Sequence, residues 1–419
     1  MKVLWFSLSP CGSVTREAAS KTKHGWMVAL ETALKQCKDV VLEVAFLSKK
    51  KENAFIHDGV KYYPMYLPQS RNRVMRLLYG GNDDDIKKEL IREVVTQSSP
   101  DIIHIHGTEE AFGYAAEMFP EIPSVFSIQG IIAPILNKFY SGIPEKDMKK
   151  FEPLLTKIKK AGIADVEKKF THAAQREATF LEKANYIFGR TEWDSNITLM
   201  YNPNRIYIEV NELLRGDVYN HKWKGCFSTQ KIKLITTISA GIYKGYETLI
   251  QTASLLKKHA SFDFEWNVIG YDKGNYWVRM SEEYTGLSSD ECNIKFLGWQ
   301  DAETLCNHIS NSDIYVQVSH IENSPNALCE AMVIGIPIVA SFAGGTSSML
   351  ENNKEGTLVQ DGDPYAYAGA IINYVKNPHK AIQMAACANK KGYLRHKEEK
   401  VVTELLNGYK FIIEHFNKH

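Results

Sequence analysis

The sequence predicts an α/β protein built from two parallel-sheet halves, and three observations lead there. Short β-branched runs alternate with helix-length stretches along most of the chain, the pattern of parallel strands joined by crossover helices. That pattern is interrupted near residues 206–231, where Asn-Pro, Arg-Gly-Asp and Trp-Lys-Gly-Cys sequences break the periodicity. At 419 residues the chain is long enough to fill two separate cores.

In the first half the strand candidates are residues 3–8, 40–47, 102–106, 124–128 and 186–188, each a short apolar run ended by polar residues or glycine. Helices fit 26–37, 85–96 and 165–184. The second half repeats the scheme, with strands at 233–238, 265–269, 294–296, 313–318, 336–340 and 356–359 and helices such as 246–258. The expected divisions are a first domain over 1–208, a second over 209–397, and a final helix over 398–419.

Composition narrows the function classes. With 44% hydrophobic and 24% charged residues, the chain reads as a soluble globular enzyme. A net charge of +1 gives no global attraction for nucleic acid, so none is expected as a partner. Seven cysteines, odd in number and without a C-x-x-C pair, argue against zinc ribbons and a disulfide framework and favour a reducing, cytoplasmic compartment. No apolar run approaches membrane-spanning length, and the apolar start reads as a first buried strand rather than a signal core. No Walker loop, G-x-G-x-x-G, G-x-S-x-G or H-E-x-x-H is present.

The stretch richest in chemistry is residues 313–350, read as strand, loop, helix, strand and glycine turn. In parallel sheets, ligands bind outside the carboxyl ends of the strands, and the loop at 319–325 lies at such an end. It carries Glu322, and Glu330 follows about two turns into the next helix. The N–H groups of that helix's first turn favour an anion or hydroxyl oxygens. Taken singly, Glu322 reads equally as a helix cap and Glu330 as a solvated helix face.

Taken together, Glu322, Glu330, Ala331, Gly335, Pro337, Gly344 and Gly345 resemble the nucleotide-sugar site of retaining glycosyltransferases with the GT-B fold, glycosyltransferase family 4. The resemblance is dense over 232–359 and thinner in the first half. It implies two Rossmann-like domains facing across a cleft, the first binding acceptor and the second binding nucleotide sugar, with the final helix returning to the N-terminal domain. The implied activity is transfer of a hexosyl or N-acetylhexosaminyl group, with retention, from a UDP- or GDP-sugar to a hydroxyl of a glycan or undecaprenyl-linked acceptor. Bacterial capsule or O-antigen assembly is the implied setting, with no metal or other cofactor. Two further readings stay open: a non-hydrolysing nucleotide-sugar 2-epimerase of the same fold, and a GT-B binding subunit of a transferase complex.

The resemblance also assigns residues. Lys244, in a strand-to-helix turn beside Gly245, would meet the donor phosphates as a point charge. The family has an arginine five residues earlier, where Ser239 stands here. Glu322 would contact the transferred sugar, helped by the backbone of Ser324, Pro325, Asn326 and Ala327, and Glu330 would hold the ribose hydroxyls. Gly298 and Trp299 join the donor side, as do Gly25 and Gly345 through their backbones. Lys21, Lys23 and His24 could supply further positive charge, or form a solvated loop. His106, at the end of its strand, matches a family histidine beside the reacting sugar, so Lys244, Glu322 and His106 form the catalytic set. His104 reads as a packing or supporting residue. Gln129 stands where the family often has histidine and, with Thr191 and Glu192, is assigned to the acceptor side. Glu192 reads equally as a first-turn helix acid. The acids of Asn82-Asp83-Asp84-Asp85 read as helix-start partners rather than a metal motif. A Lys-rich, partly amphipathic segment at 146–170 reads as a charged surface helix. Its alternative role is peripheral contact with the inner face of the plasma membrane.

Overall fold

The computed structural model describes residues 1–16, 25–67, 83–152, 162–239 and 241–418. The chain forms two compact units, one of Met1–Ile131, Ala173–Arg215 and His396–His419, the other of Ile132–His172 and Gly216–Arg395. Each holds one sheet, and the α/β expectation holds in both.

In the first unit the strands are β1 (Lys2–Ser7), β2 (Val41–Ser48), β3 (Phe55–His57), β4 (Val60–Tyr66), β5 (Ile102–His106), β6 (Ser124–Ser127), β7 (Tyr186–Gly189) and β8 (Ile206–Glu209). They lie in the order β3-β4-β2-β1-β5-β6-β7-β8, all parallel except the β3/β4 hairpin. The sheet is covered on both faces, which is why its central strands are continuous apolar runs. Along β1, Val3 and Trp5 enter one core with the helices Trp26–Lys35 and Glu398–Phe416, while Leu4 and Phe6 enter the other with Asp84–Ser98. The final helix presents Val401, Leu405, Tyr409 and Ile412 as an apolar stripe at helical spacing. Gly408 lies so close to Phe188 that an added Cβ would stand 2.7 Å from the ring.

The second unit contains β9 (Ile232–Thr237), β10 (Phe264–Ile269), β11 (Ile294–Gly298), β12 (Ile314–Gln317), β13 (Ile338–Phe342) and β14 (Thr357–Gln360), in the order β11-β10-β9-β12-β13-β14. All pairings are parallel. The helices Tyr246–His259 and Pro364–Lys376 pack Leu249, Ala253, Tyr367 and Ile371 against Leu234, Val268 and Val316.

Three features depart from the sequence reading. β8 falls inside the stretch read as the interdomain break and pairs with β7, so the first unit runs on to Arg215. β3 and β4 were missed; they are joined at Asp58-Gly59, both with positive φ (48° and 80°), the backbone of a tight hairpin turn. Residues 132–172 were placed in the first domain but belong to the second unit. There Phe139, Ile143, Met148 and Ile163 bury against Met280 of the helix Tyr276–Thr285. Part of the 146–170 segment lies outside the described residues, and its described apolar positions Met148 and Ile163 face this cluster. No helix among the described residues is long and apolar enough to cross a membrane.

The final helix is tied to the first sheet by a buried polar contact. The Trp5 indole N–H donates to the Tyr409 oxygen at 3.0 Å, and that hydroxyl lies 2.5 Å from His104 Nδ1. Tyr409→Phe leaves a buried indole donor without a partner. It is expected to destabilise the protein by about 1–3 kcal/mol in chemical denaturation. A change below about 0.5 kcal/mol, the range of a neutral surface substitution, would show the hydroxyl to be dispensable.

Candidate functional site

The strand order fixes where a site can form in the second unit. The chain lays down β9, moves outward to β10 and β11, then returns to place β12 on the other side of β9. At such a reversal the loops leaving two neighbouring strands diverge and open a crevice at their carboxyl ends. The loop after β9 carries Lys244, and the loop after β12 carries Glu322.

These two residues, 78 positions apart, meet there. Lys244 Nζ donates to Glu322 Oε1 at 2.6 Å, with both side chains mostly buried. Burial opposes the charge on Lys244, but the adjoining Glu322 carboxylate outweighs it and raises the lysine's pKa. The lysine therefore stays protonated across the physiological range.

Backbone geometry brings the loops together. Gly245 has φ 78°, and any Cβ there would strike the carbonyl oxygen of Val318 at the start of the β12 loop. The His320 N–H donates to the Tyr243 carbonyl at 2.8 Å, a second tie between the same loops. From the other side, Gly344 (φ 52°) presses on the carbonyl of Glu322, where a side chain would clash. The Gly345 N–H donates to that carbonyl at 2.9 Å. The donation corrects one expectation: this N–H holds the Glu322 loop in place and is not directed at a ligand.

The helix Asn326–Ile334 begins at Pro325 and ends at Gly335, which is left-handed at φ 81°. Its first-turn N–H groups, at Asn326 and Ala327, have no carbonyl one turn earlier within the helix. Ser324 is buried, with its hydroxyl 3.6 Å from Met349 Sδ. Glu330 is 2% exposed, so it is not the solvated helix face that the sequence left open. Together with Glu322 it adds to the effect of burial in raising the pKa of the Tyr315 phenol on β12. Gly298 and Trp299 sit apart from this group, at the carboxyl end of the edge strand β11, two strands from β9. Trp299 is 54% exposed. Ser239, where the family has arginine, is exposed.

In the first unit the equivalent reversal lies between β1 and β5. His106 ends β5 there, 2% exposed and, among the described residues, with no hydrogen-bond partner on either ring nitrogen. Its ring lies against His104 (centroids 3.7 Å apart), Trp5 (4.6 Å) and Trp26 (6.0 Å). Burial, with His104 and Arg190 nearby, drives its pKa well below the ordinary value, so it is neutral. His104 is pushed down to about 3 by burial and by Arg190, and it bridges Tyr409 and the Ser127 hydroxyl (2.7 Å). A neutral ring that accepts from Tyr409 at Nδ1 and donates to Ser127 from Nε2 fits both contacts. Gly25 is the N-cap of the helix Trp26–Lys35. Lys21, Lys23 and His24 lie outside the described residues.

Gln129 is half-buried just beyond β6. The Thr191 hydroxyl accepts from the Asp194 N–H in a capping box, so its side chain serves the helix Glu192–Tyr201. Glu192 is the exposed first residue of that helix. Asp84 and Asp85 occupy the first turn of Asp84–Ser98, and Asp84 pairs with Arg176 at 3.4 Å, a helix-start role as the sequence suggested. Asn82 is outside the described residues. The sequence reading passed over Arg190, whose guanidinium lies 4.8 Å over the Trp26 ring, with Nε 3.5 Å from Glu212. A cation at the end of an apolar strand was the only local signal for it.

Because the loops after β9, β12 and β13 meet through backbone, Gly344→Ala is expected to destabilise the protein by about 1–3 kcal/mol through forced left-handed strain and displacement of Glu322. Equilibrium unfolding measures it, and an unchanged midpoint would mean that the loop gives way freely.

Comparison with known proteins places this geometry in context. Residues 220–391, which include Lys244, Glu322 and Glu330, match the family described as glycosyl transferases group 1. The amylovoran biosynthesis glycosyltransferase AmsK of Erwinia amylovora is 24% identical over 168 residues, which is 39% of this chain and 40% of AmsK's own length. Among solved structures, a sucrose-phosphate synthase from Thermosynechococcus elongatus superposes with a TM-score of 0.71 over 99% of both chains at 15% identity. Anabaena HepE, solved in complex with UDP-glucose, gives 0.64 over 97% of this chain and 99% of its own, also at 15% identity. At that identity the likeness is one of fold.

Proposed function

Taking residues 220–391 as a group 1 glycosyltransferase domain and the chain as a GT-B fold, we propose that the protein is a retaining glycosyltransferase. It moves a sugar from a nucleoside-diphosphate sugar to a hydroxyl of a glycan or lipid-linked glycan in bacterial surface-polysaccharide assembly. The observation that carries the proposal is the Lys244–Glu322 pair at the carboxyl ends of the neighbouring strands β9 and β12. A sugar phosphate presents an anionic oxygen beside a ring bearing hydroxyls. A cation and an acceptor held side by side match both.

In the proposed reaction the bond between the anomeric carbon and the diphosphate oxygen breaks, and the electron pair leaves with the diphosphate. The acceptor oxygen forms its bond to the anomeric carbon on the same face and gives its proton to the departing phosphate oxygen. No protein base and no metal is needed for that balance. The chain's task is to stabilise charge on the leaving oxygens, where one preorganised donor is worth about 2.7–4 kcal/mol. Lys244 supplies a charge that Glu322 keeps in place. The amides of Asn326 and Ala327 at the helix start add uncharged donors. Glu322 is then the acceptor for the sugar's hydroxyls and Glu330 for the ribose hydroxyls. A UDP- or GDP-sugar is the donor class. His106 is neutral, and among the described residues neither ring nitrogen has a partner, so in this reading its part is a hydrogen bond to a sugar hydroxyl rather than a charge.

Lys244→Ala is expected to lower turnover by about a hundredfold or more, the kinetic equivalent of that lost donor, while leaving the circular dichroism melt near wild type. Turnover within a few-fold of wild type would remove the lysine from the reaction. Glu330→Gln should weaken nucleotide binding in calorimetry by about tenfold, and unchanged affinity would refute the ribose assignment. An NMR time course on donor alone separates this reading from the epimerase, which would interconvert nucleotide sugars without an acceptor.

A further inference from the structure

The loop that carries Glu322 is anchored two residues earlier by a buried charge cluster. His320 is 2% exposed. Its Nε2 lies 2.6 Å from Glu247 Oε1, and its Nδ1 lies 3.5 Å from Asp361 Oδ2. Glu247 stands in the first turn of the helix Tyr246–His259, three residues after Lys244. Asp361 directly follows β14. Asp361 also takes Lys138 Nζ at 3.2 Å, from just beyond the helix Ile132–Asn137. Gly142 lies against the Glu247 carboxylate so closely that any side chain there would strike it. The segment 132–172 thus meets both acids that hold the ring.

The charged groups facing the imidazole are Glu247 from its helix, Asp361 from the β14 end, and Lys138 behind Asp361. Glu322, in the ring's own loop, is paired with Lys244. A neutral ring has one nitrogen that can only accept, and here that nitrogen would face a carboxylate, which also only accepts. Protonation removes the conflict and lets both nitrogens donate. Burial opposes the charge, but Asp361 and Glu247 outweigh it and hold the ring's pKa up to about 9.

We propose that His320, as an imidazolium clamped between Glu247 and Asp361, is a positioning residue that fixes loop 319–325 and thereby holds Glu322 in register with Lys244. The consequence for donor binding rests on the donor-site reading given above. The sign follows from the raised pKa: the clamp is complete below the ring's ordinary value of 6.5 and is lost as pH rises through about 9. Lys244, raised above its ordinary 10.5, keeps its charge through that window, so the two effects separate in pH.

The test uses the full chain with UDP-glucose and GDP-mannose as probes, titrated by calorimetry from pH 6 to about 10, in wild type, His320→Gln and Asp361→Asn. For whichever probe binds, wild-type affinity should fall by about tenfold across the approach to pH 9. His320→Gln should be weak throughout and flat over that window, and Asp361→Asn should bring the fall to lower pH. Affinity and pH profile unchanged in both variants would overturn the proposal, and a merely structural role would give a loss without the moved pH limb. If wild type binds neither probe, the donor-site reading fails on its own account. The clamp is then judged without ligand, by NMR titration of the ring signal that disappears in His320→Gln. A pKa well above 6.5 would support it, and one at or below 6.5 would overturn it.

Discussion

The second unit depends on one constraint: the loops after β9, β12 and β13 must approach within backbone contact. Their strands are neighbours in the sheet, so the loops start side by side. Gly245 and Gly344 let them close on either side of the Glu322 loop, since a side chain at either position would strike a carbonyl oxygen. The His320–Tyr243 and Gly345–Glu322 hydrogen bonds then lock the arrangement. Magnitudes decide what holds Glu322. Each backbone bond contributes about 1 kcal/mol, and close approach with left-handed strain permits no alternative path for the chain. For a mostly buried ion pair such as Lys244–Glu322, desolvation offsets much of the Coulomb attraction, so the pair alone is weak evidence of net stabilisation. Backbone therefore sets the position, and the Lys244–Glu322 pair follows from it.

The buried histidines show how the same burial ends in opposite charge states, depending on the neighbours. Burial disfavours the charged ring at His104, His106 and His320 alike. At the first two the neighbours are aromatic rings, each other and the Arg190 cation, so nothing opposes burial and both rings are neutral. At His320 the neighbours are two carboxylates, and the ring is positive. At its strand reversal the first unit thus holds neutral rings, His104 satisfied by Tyr409 and Ser127 and His106 buried beside it. The second offers fixed charge at its own.

What the sequence made legible was local. The central strands are apolar runs because both faces of each sheet are covered, and the acids of 322 and 330 sit in one contiguous stretch with its glycines and proline. What was not legible had competing signals or distant partners. Pro64 stands inside β4, and proline argues against a strand. It lies beyond the residues that β3 pairs, which is where the sheet tolerates it. The Asp58-Gly59 dipeptide, a strong hairpin signal, could have revealed β3 and β4. β8, Ile-Tyr-Ile-Glu, is short and surrounded by turn residues. Phe139, Ile143 and Met148 announce a buried face but not which core receives it. His320 showed no sign of its partners because Glu247 and Asp361 lie on other elements, Glu247 some 73 residues away.

On the proposed donor-site reading, the serine at 239 changes how a diphosphate would be held. With arginine there, a bidentate cation would share the phosphate charge with the lysine. Ser239 gives a short neutral donor at most, and Lys244 is already paired with an acid. In that reading the balance would shift to groups whose charge does not titrate, the amides at the start of Asn326–Ile334 and the partial positive charge of that helix terminus. These act only at short range and in one geometry, so they demand a rigid loop more than a flexible arginine does. Here the rigidity is present: glycine contacts on two sides, carbonyls tied by N–H groups, and a buried ring between two carboxylates. The glycine contacts, the tied carbonyls and the buried ring hold the Glu322 loop rigid, which is what the amide contacts of the proposed donor site require.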